Sequence, residues 1–176
     1  YHAWQPSSLT ELNAALAAGE RHPASAEMAQ LLRAAQHWSA RSDGLFDPAM
    51  GGLVALWGFH SDEFLPRLPA PEHLAAWQAA SPSMADVVID GEWVSSRNPA
   101  VQFDFGGLAK GYALDRAAAI LREHGIANAL VNIGGNVIAL GAKGRAPWRI
   151  GIQHPRGGAP LAVLPLYDGE AIGTTG

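Results

Sequence analysis

The stretch that decides the fold of this chain reads Asp104-Phe105-Gly106-Gly107-Leu108-Ala109-Lys110-Gly111-Tyr112-Ala113-Leu114-Asp115, a Gly-rich turn followed by the start of a helix. A lysine in the first helical turn opposes the macrodipole, whose positive end lies there, so an anion is expected nearby. Free amides and glycines at this point make a plausible phosphate cradle. The alternative is a strand-to-helix turn whose glycines serve only backbone geometry and whose Lys110 points to water.

The segments on either side of this stretch predict a helix between two Gly-rich turns. Residues 101–103 alternate apolar and polar like a half-buried strand, which places Asp104 where that strand enters the turn. Apolar residues at helical spacing then lead to Gly125, a residue type that ends helices. They are Ala109, Tyr112, Ala113, Ala117, Ile120, Leu121 and His124. A second apolar run meets Gly134-Gly135-Asn136 and resumes at Val137, which predicts a strand, a sharp turn or bulge, and a strand.

Composition and charge narrow the class of protein. The 176 residues are 48% hydrophobic, enough to bury the core of a single domain. The formal charge of -4 and the absence of a Lys or Arg run argue against nucleic acid and anionic membranes as main partners. The sequence has no cysteine, which excludes disulfides and thiolate sites, and no apolar run approaches the ~18 residues of a membrane span.

The remaining sequence predicts helices first and strands later. Helices are expected at about residues 9–18, at about residues 25–40 and from Pro71. Trp38 is expected on the buried face of the second helix, and a surface loop is expected at residues 60–71. A hairpin with an Asp90-Gly91 turn is expected at residues 87–94. Later strands are expected at residues 131–133, 137–140, 148–152, 161–166 and 170–172. Because most of these strands are close in sequence, we predict an α+β fold with a mostly antiparallel sheet and flanking helices.

The runs at residues 104–115 and 124–136 resemble the ApbE family, the FAD:protein FMN transferases. Matching blocks occur in the family's order at residues 4–13, 42–48, 56–59, which hold a Trp-Gly-Phe element, and 171–176. The resemblance implies one ApbE-type domain over residues 1–176. It also implies that the N-terminal and C-terminal portions of that domain lie outside this sequence.

The resemblance assigns flavin-binding positions and one metal ligand. The flavin-binding positions are Trp4, Leu45, Phe46, Asp47, Asp104, Lys110, Gly134, Gly135, Thr174 and Thr175. Leu45, Phe46 and Asp47 would border the isoalloxazine or ribityl end of the flavin. The backbone carbonyl of Ala113 falls on a magnesium ligand, and the metal is a hard cation that takes oxygen donors.

Each of these positions also has a structural alternative. Asp47 could form an Asx-type turn, and Asp104 could cap the turn through the amides of Gly106 or Gly107. Gly134 and Gly135, with Asn132, could form a bulge, and the two threonines could be ordinary loop residues. Trp4 or His2 could stack on the flavin, because Ala3 stands where the family usually has a tyrosine.

The function implied by the resemblance is Mg2+-dependent transfer of FMN from FAD to a threonine hydroxyl of a target flavoprotein, with release of AMP. The rivals are a FAD pyrophosphatase, which would produce FMN and AMP, and a non-catalytic flavin-binding domain. The family's catalytic residues and remaining metal ligands follow the Thr-Ser-Gly turn that aligns with residues 174–176. The sequence therefore identifies no catalytic residue, and we expect the chain alone to be inactive in transfer.

The resemblance also implies a partner and a compartment. The expected acceptor is a flavoprotein subunit of a membrane redox complex. Family members are typically exported and often lipoproteins, so a location in the periplasm or at the inner membrane facing the periplasm is expected.

Overall fold

The computed structural model describes residues 1–63 and 68–174 and has an α+β fold with antiparallel sheets, as predicted. Contacts divide the chain into two compact units, Tyr1–Gly107 and Leu108–Gly176. The single ApbE-type domain over residues 1–176 stays a prediction. Among the described residues, no helix has both the length and the apolar character needed to cross a bilayer.

The first unit combines helices with a small sheet. Its elements are α1 (Ser8–Ala17), β1 (His22–Pro23), α2 (Ala26–Arg41), α3 (Gly51–Leu56), α4 (Pro71–Ala80), a 3-10 turn (Met84–Asp86), β2 (Val87–Asp90) and β3 (Trp93–Ser96). The strands are antiparallel in the order β1-β3-β2. Ser7 and Ser25 cap the first two helices by accepting backbone N–H bonds, which fixes where each helix begins. Both helices then bury an apolar face in the core, formed by Leu9, Leu12, Leu16, Met28, Leu31, Leu32 and Ala35.

Two expectations for this unit were wrong in detail. The hairpin loop is Gly91-Glu92, one residue later than predicted, because Asp90 pairs with Trp93 and glycine takes the positive φ of +59°. Trp38 is 48% exposed, because the buried stripe of α2 passes through Ala35 and Ser39 instead. The short elements α3 and β1 were not predicted, and the loop expected at residues 60–71 lies partly outside the described residues.

The segment before the Gly-rich turn is extended but is not a strand of a sheet. Val101, Phe103 and Phe105 are buried, as the alternation predicted, but Gln102 forms only an isolated bridge with Met50. The side chain of Asn13 takes the place of a neighbouring strand. Its Oδ1 accepts from the N–H of Phe103 at 2.7 Å, and its Nδ2 donates to the carbonyl of Phe103 at 3.0 Å. The segment is therefore held on one side by a helix side chain and on the other by backbone hydrogen bonds of Gln102 and Asp104 to residues 48–51.

The second unit places a helix against a three-stranded sheet. Its elements are α5 (Ala109–Glu123), β4 (Ala129–Ile133), β5 (Asn136–Leu140), β6 (Trp148–Ile152), β7 (Ala162–Leu166) and β8 (Ala171–Ile172). The sheet has the order β4-β5-β8, and β6 pairs with β7, all antiparallel. Ile138 and Leu140 of β5 pack with α5, whereas Val137 and Ala139 pack with β6 and β7. Strand β5 is thus the buried centre of this unit.

The face that α5 buries is shifted from the predicted one. Leu114 and Ala118 are buried, whereas Ile120, which was predicted on the buried face, is 46% exposed. Spacing alone could not choose between neighbouring stripes, because alanines fill several faces of this helix.

After β5, the amide of Gly141 donates to Oδ1 of Asp168 at 2.7 Å. This bond and the nearby Arg122 lower the pKa of the Asp168 carboxyl.

Candidate functional site

Asp104 closes the Gly-rich corner from inside the first unit. Its Oδ1 accepts from the amide of Gly106 at 2.7 Å, which is the capping role considered from sequence. Its Oδ2 lies 2.9 Å from Nε2 of His60, and both side chains are largely buried, 17% and 15% exposed. The main-chain N–H of Asp104 donates to the carbonyl of Pro48 at 2.9 Å. Both carboxylate oxygens therefore have protein partners.

Asp47 is likewise engaged by its own unit. Its carboxylate accepts from the amides of Ala49 at 2.9 Å and Met84 at 3.0 Å, and from the hydroxyl of Ser39 at 3.3 Å. The bond to the residue two positions on is an Asx turn, the structural alternative for this residue. Asp47 therefore joins the end of α2 to the 3-10 turn. A flavin contact at Asp47 stays a prediction.

The neighbours of Asp47 are more accessible. Leu45 is 93% exposed, and Phe46 is half-buried. A Cβ built on Gly107 would lie 3.2 Å from Cε2 of Phe46, so the phenyl ring packs where Gly107 lacks a side chain. Phe46 and the Gly-rich corner are therefore adjacent, as a shared ligand site requires.

Trp4 is in contact with two histidines. Its ring is stacked on that of His60, with a centroid distance of 5.4 Å and an interplanar angle of 20°. His2 meets the same indole in a T-shaped contact at 4.1 Å. Trp4 is still 41% exposed, so part of its ring is accessible to a ligand. The structure thus connects Trp4 to Asp104 through His60.

The start of α5 has the features of an anion site. The N-cap residue is Leu108, no side-chain hydrogen bond caps the helix, and the first turn has no acidic residue. Lys110 is half-buried in this turn. Over residues 1–63 and 68–174, the ion pairs are His60–Asp104 and Arg122–Asp168, so Lys110 has no carboxylate partner there. Uncapped amides beside an unpaired cation favour a bound anion.

The two-glycine turn lies beside Lys110 in the same unit. Ile133 pairs with Asn136, so Gly134 and Gly135 form a two-residue turn, and both have positive φ, +56° and +87°. This is the sharp turn considered from sequence, rather than a bulge. A Cβ built on Gly134 would lie 3.7 Å from Cδ of Lys110. The lysine stem therefore passes over the backbone of the turn.

Thr174 and Asn132 hold this turn in place. The hydroxyl of Thr174 donates to the carbonyl of Gly135 at 2.7 Å, and its amide donates to Oδ1 of Asn136 at 3.1 Å. The side chain of Asn132 accepts from the amide of Gly135 at 3.0 Å. The second unit thus brings together three of the predicted regions, namely Lys110, the glycine pair and Thr174. Thr175 lies outside the described residues.

The carbonyl of Ala113 lies in the second turn of α5 and supplies one neutral oxygen. Within the described ranges, no group of three or more His, Cys, Asp or Glu side chains could hold a metal ion. One neutral carbonyl is a fitting but incomplete donor set for Mg2+, which usually needs carboxylates or substrate phosphates as well.

Sequence reasoning missed His60 and Asn13. The pairing of His60 with Asp104 spans 44 residues, and the pairing of Asn13 with Phe103 spans 90, so no local spacing could indicate either. Asn13 did carry one signal, since it is a polar residue beside the apolar positions of an amphipathic helix. It is only 5% exposed.

An α+β chain that combines a lysine, an uncapped helix start and a two-glycine turn has the features of an anion-binding protein. The chain belongs to the ApbE family, whose profile matches residues 1–176. It is 44% identical over 176 residues to a FAD:protein FMN transferase of Rhodobacter capsulatus, covering 100% of this chain and 34% of that protein. It is 32% identical over 160 residues to one of Salmonella typhimurium, covering 88% of this chain and 45% of that protein.

Solved structures agree with the fold. The crystal structure of an ApbE protein from Thermotoga maritima matches with a TM-score of 0.84 and 33% identity, over 97% of this chain and 55% of that one. The apo form of the Pseudomonas stutzeri flavinyl transferase ApbE matches with a TM-score of 0.79 and 33% identity, over 92% and 50%. The chain therefore spans about a third to about half of the length of these relatives.

Proposed function

We propose that the protein containing this chain is a FAD:protein FMN transferase. In the reaction, the oxygen of an acceptor threonine attacks the FMN phosphorus, the bond to the AMP oxygen breaks, and the threonine hydroxyl loses its proton. The products are a phosphoester-linked FMN and AMP. The observation that carries the proposal is the position of Lys110, at the uncapped start of α5 and beside the Gly134–Gly135 turn, in a chain of the ApbE family.

The local charge suits the pyrophosphate of FAD. The chain has a formal charge of -4, so long-range attraction does not favour an anion. Binding must then depend on nearby donors, which are the ammonium of Lys110 and the free amides of the first turn of α5. Such groups also stabilise charge that develops during phosphoryl transfer, a reaction that depends mainly on positioning and electrostatics.

Magnesium is part of the proposal through the family resemblance. The carbonyl of Ala113 would hold the ion together with FAD phosphates and oxygen ligands beyond those described. The ion would neutralise the pyrophosphate charge when bound. The acceptor, a flavoprotein subunit of a membrane redox complex, and a periplasmic location, soluble or as an inner-membrane lipoprotein, are proposed on the same basis.

The test is a product analysis with the complete natural protein, FAD, Mg2+ and an acceptor carrying the target threonine. We expect AMP together with an acceptor that has gained FMN, detected by its mass. AMP with free FMN would instead identify a FAD pyrophosphatase, and FAD binding without turnover would identify a non-catalytic binding domain. We expect residues 1–176 alone to give no transfer.

A further inference from the structure

His60 contacts two residues of the first unit that sequence reasoning treated separately. Its Nε2 lies 2.9 Å from Oδ2 of Asp104, and its ring is stacked on Trp4. The other oxygen of Asp104 holds the amide of Gly106 at 2.7 Å. A connected chain therefore runs from an indole ring through an imidazole and a carboxylate to the backbone of the Gly-rich corner.

The corner itself needs such support. Gly106 and Gly107 are both exposed, and glycine has more backbone freedom than any other residue. Fixing two glycines before a ligand arrives removes an entropy cost that binding would otherwise carry. A carboxylate fixed by a histidine at one oxygen presents its second oxygen in one direction, which fixes the amide of Gly106 in turn.

The chemistry of the pair defines what His60 does. An ionised Asp104 accepts hydrogen bonds only, so Nε2 of His60 must carry the proton between them. Trp4 limits the rotation of the imidazole by stacking on its face. A hydrogen bond to a charged group is stronger than one between neutral groups, so the bond between His60 and Asp104 holds the carboxylate in place.

We propose that His60 is a positioning residue that preorganises the Gly106–Gly107 corner for FAD through Asp104. The inference rests on the proposed function, since the ligand is the FAD of that reaction. In this role Asp104 holds the backbone of the corner and does not contact the phosphates of FAD. The negative charge of Asp104 fits this role, because a carboxylate that faced a phosphate would repel it.

Two substitutions separate the hydrogen bond from the ring contact. His60→Phe keeps an aromatic ring for Trp4 but cannot donate to Asp104, whereas His60→Gln keeps a donor and loses the ring. His37→Phe is the matched control, because His37 is an exposed histidine in T-shaped contact with Trp38 on α2. FAD affinity is measured by titration of the complete protein, and thermal unfolding identifies any variant that fails to fold.

We expect His60→Phe to raise the Kd for FAD about tenfold, the effect of one lost hydrogen bond to a charged group. Rescue by His60→Gln to within about twofold of the wild type would distinguish positioning by the hydrogen bond from general packing. His37→Phe should leave the Kd unchanged. Wild-type affinity in a folded His60→Phe variant overturns the inference and leaves the proposed function intact.

A second measurement needs no flavin. Imidazole 15N spectra of the wild type should show the His60 proton on Nε2, and a proton on Nδ1 alone would contradict the link to Asp104. A wild-type protein that shows this tautomer but does not bind FAD contradicts the proposed function and the assignment of His60 to a flavin site.

Discussion

At the scale of single residues, buried polar side chains fix the geometry that the apolar core cannot. Asn13 is 5% exposed and satisfies both main-chain groups of Phe103. Without these bonds, the N–H and carbonyl of Phe103 would be buried beside a helix that offers no backbone partner. Asn13 therefore fixes one side of the segment that leads to Asp104, and backbone bonds to residues 48–51 fix the other.

We expect Asn13→Ala to lower the free energy of unfolding by about 2–3 kcal/mol, because it leaves two buried main-chain groups without partners. The measurement is denaturant unfolding of both proteins under the same conditions. Gln78→Ala is the control, since Gln78 is an exposed amide on α4, and its effect should stay within about 0.5 kcal/mol. Equal effects of the two substitutions would show that the Asn13 bonds do not hold the segment.

At the scale of elements, the sequence predicted those whose signals are local. Glycines and apolar periodicity predicted, to within a few residues, where α5 starts and ends and where β4 and β6 lie. The two-residue strand β1 and the short helix α3 carry no such pattern, because their place depends on partners far along the chain. The same reason explains the extended segment at Phe103, whose partner is a side chain of α1.

The Gly134–Gly135 turn gives a test at this scale. Gly135→Ala should lower the free energy of unfolding by about 1–3 kcal/mol, because φ is +87° and the new Cβ would lie 3.3 Å from Cβ of Thr174. Gly111→Ala is the matched control, for which we expect a higher free energy of unfolding. Gly111 is helical with open space around it, so alanine should stabilise by up to about 1 kcal/mol. If the Gly135→Ala variant had the same free energy of unfolding as the Gly111→Ala variant, the turn geometry would be contradicted.

At the scale of the whole molecule, each of the two compact units has its own predicted binding residues. The first unit contains Trp4, Phe46 and Asp104, and the second contains Lys110 with the glycine turn. The ordered motifs of the sequence predicted these regions, but not every link within them, since His60 and Asn13 act through contacts that no short motif encodes. With a net negative chain, affinity for an anion depends on those local contacts.

The most direct test of the central claim compares the two lysines of this chain, Lys110 and Lys143, in FAD titrations of the complete protein. Lys110→Ala should raise the Kd for FAD about tenfold, because the uncapped start of α5 loses its cation. Lys143→Ala, at an exposed position, should bind FAD like the wild type. Equal affinity of the Lys110→Ala variant and the wild type would contradict the claim that this helix start binds the pyrophosphate.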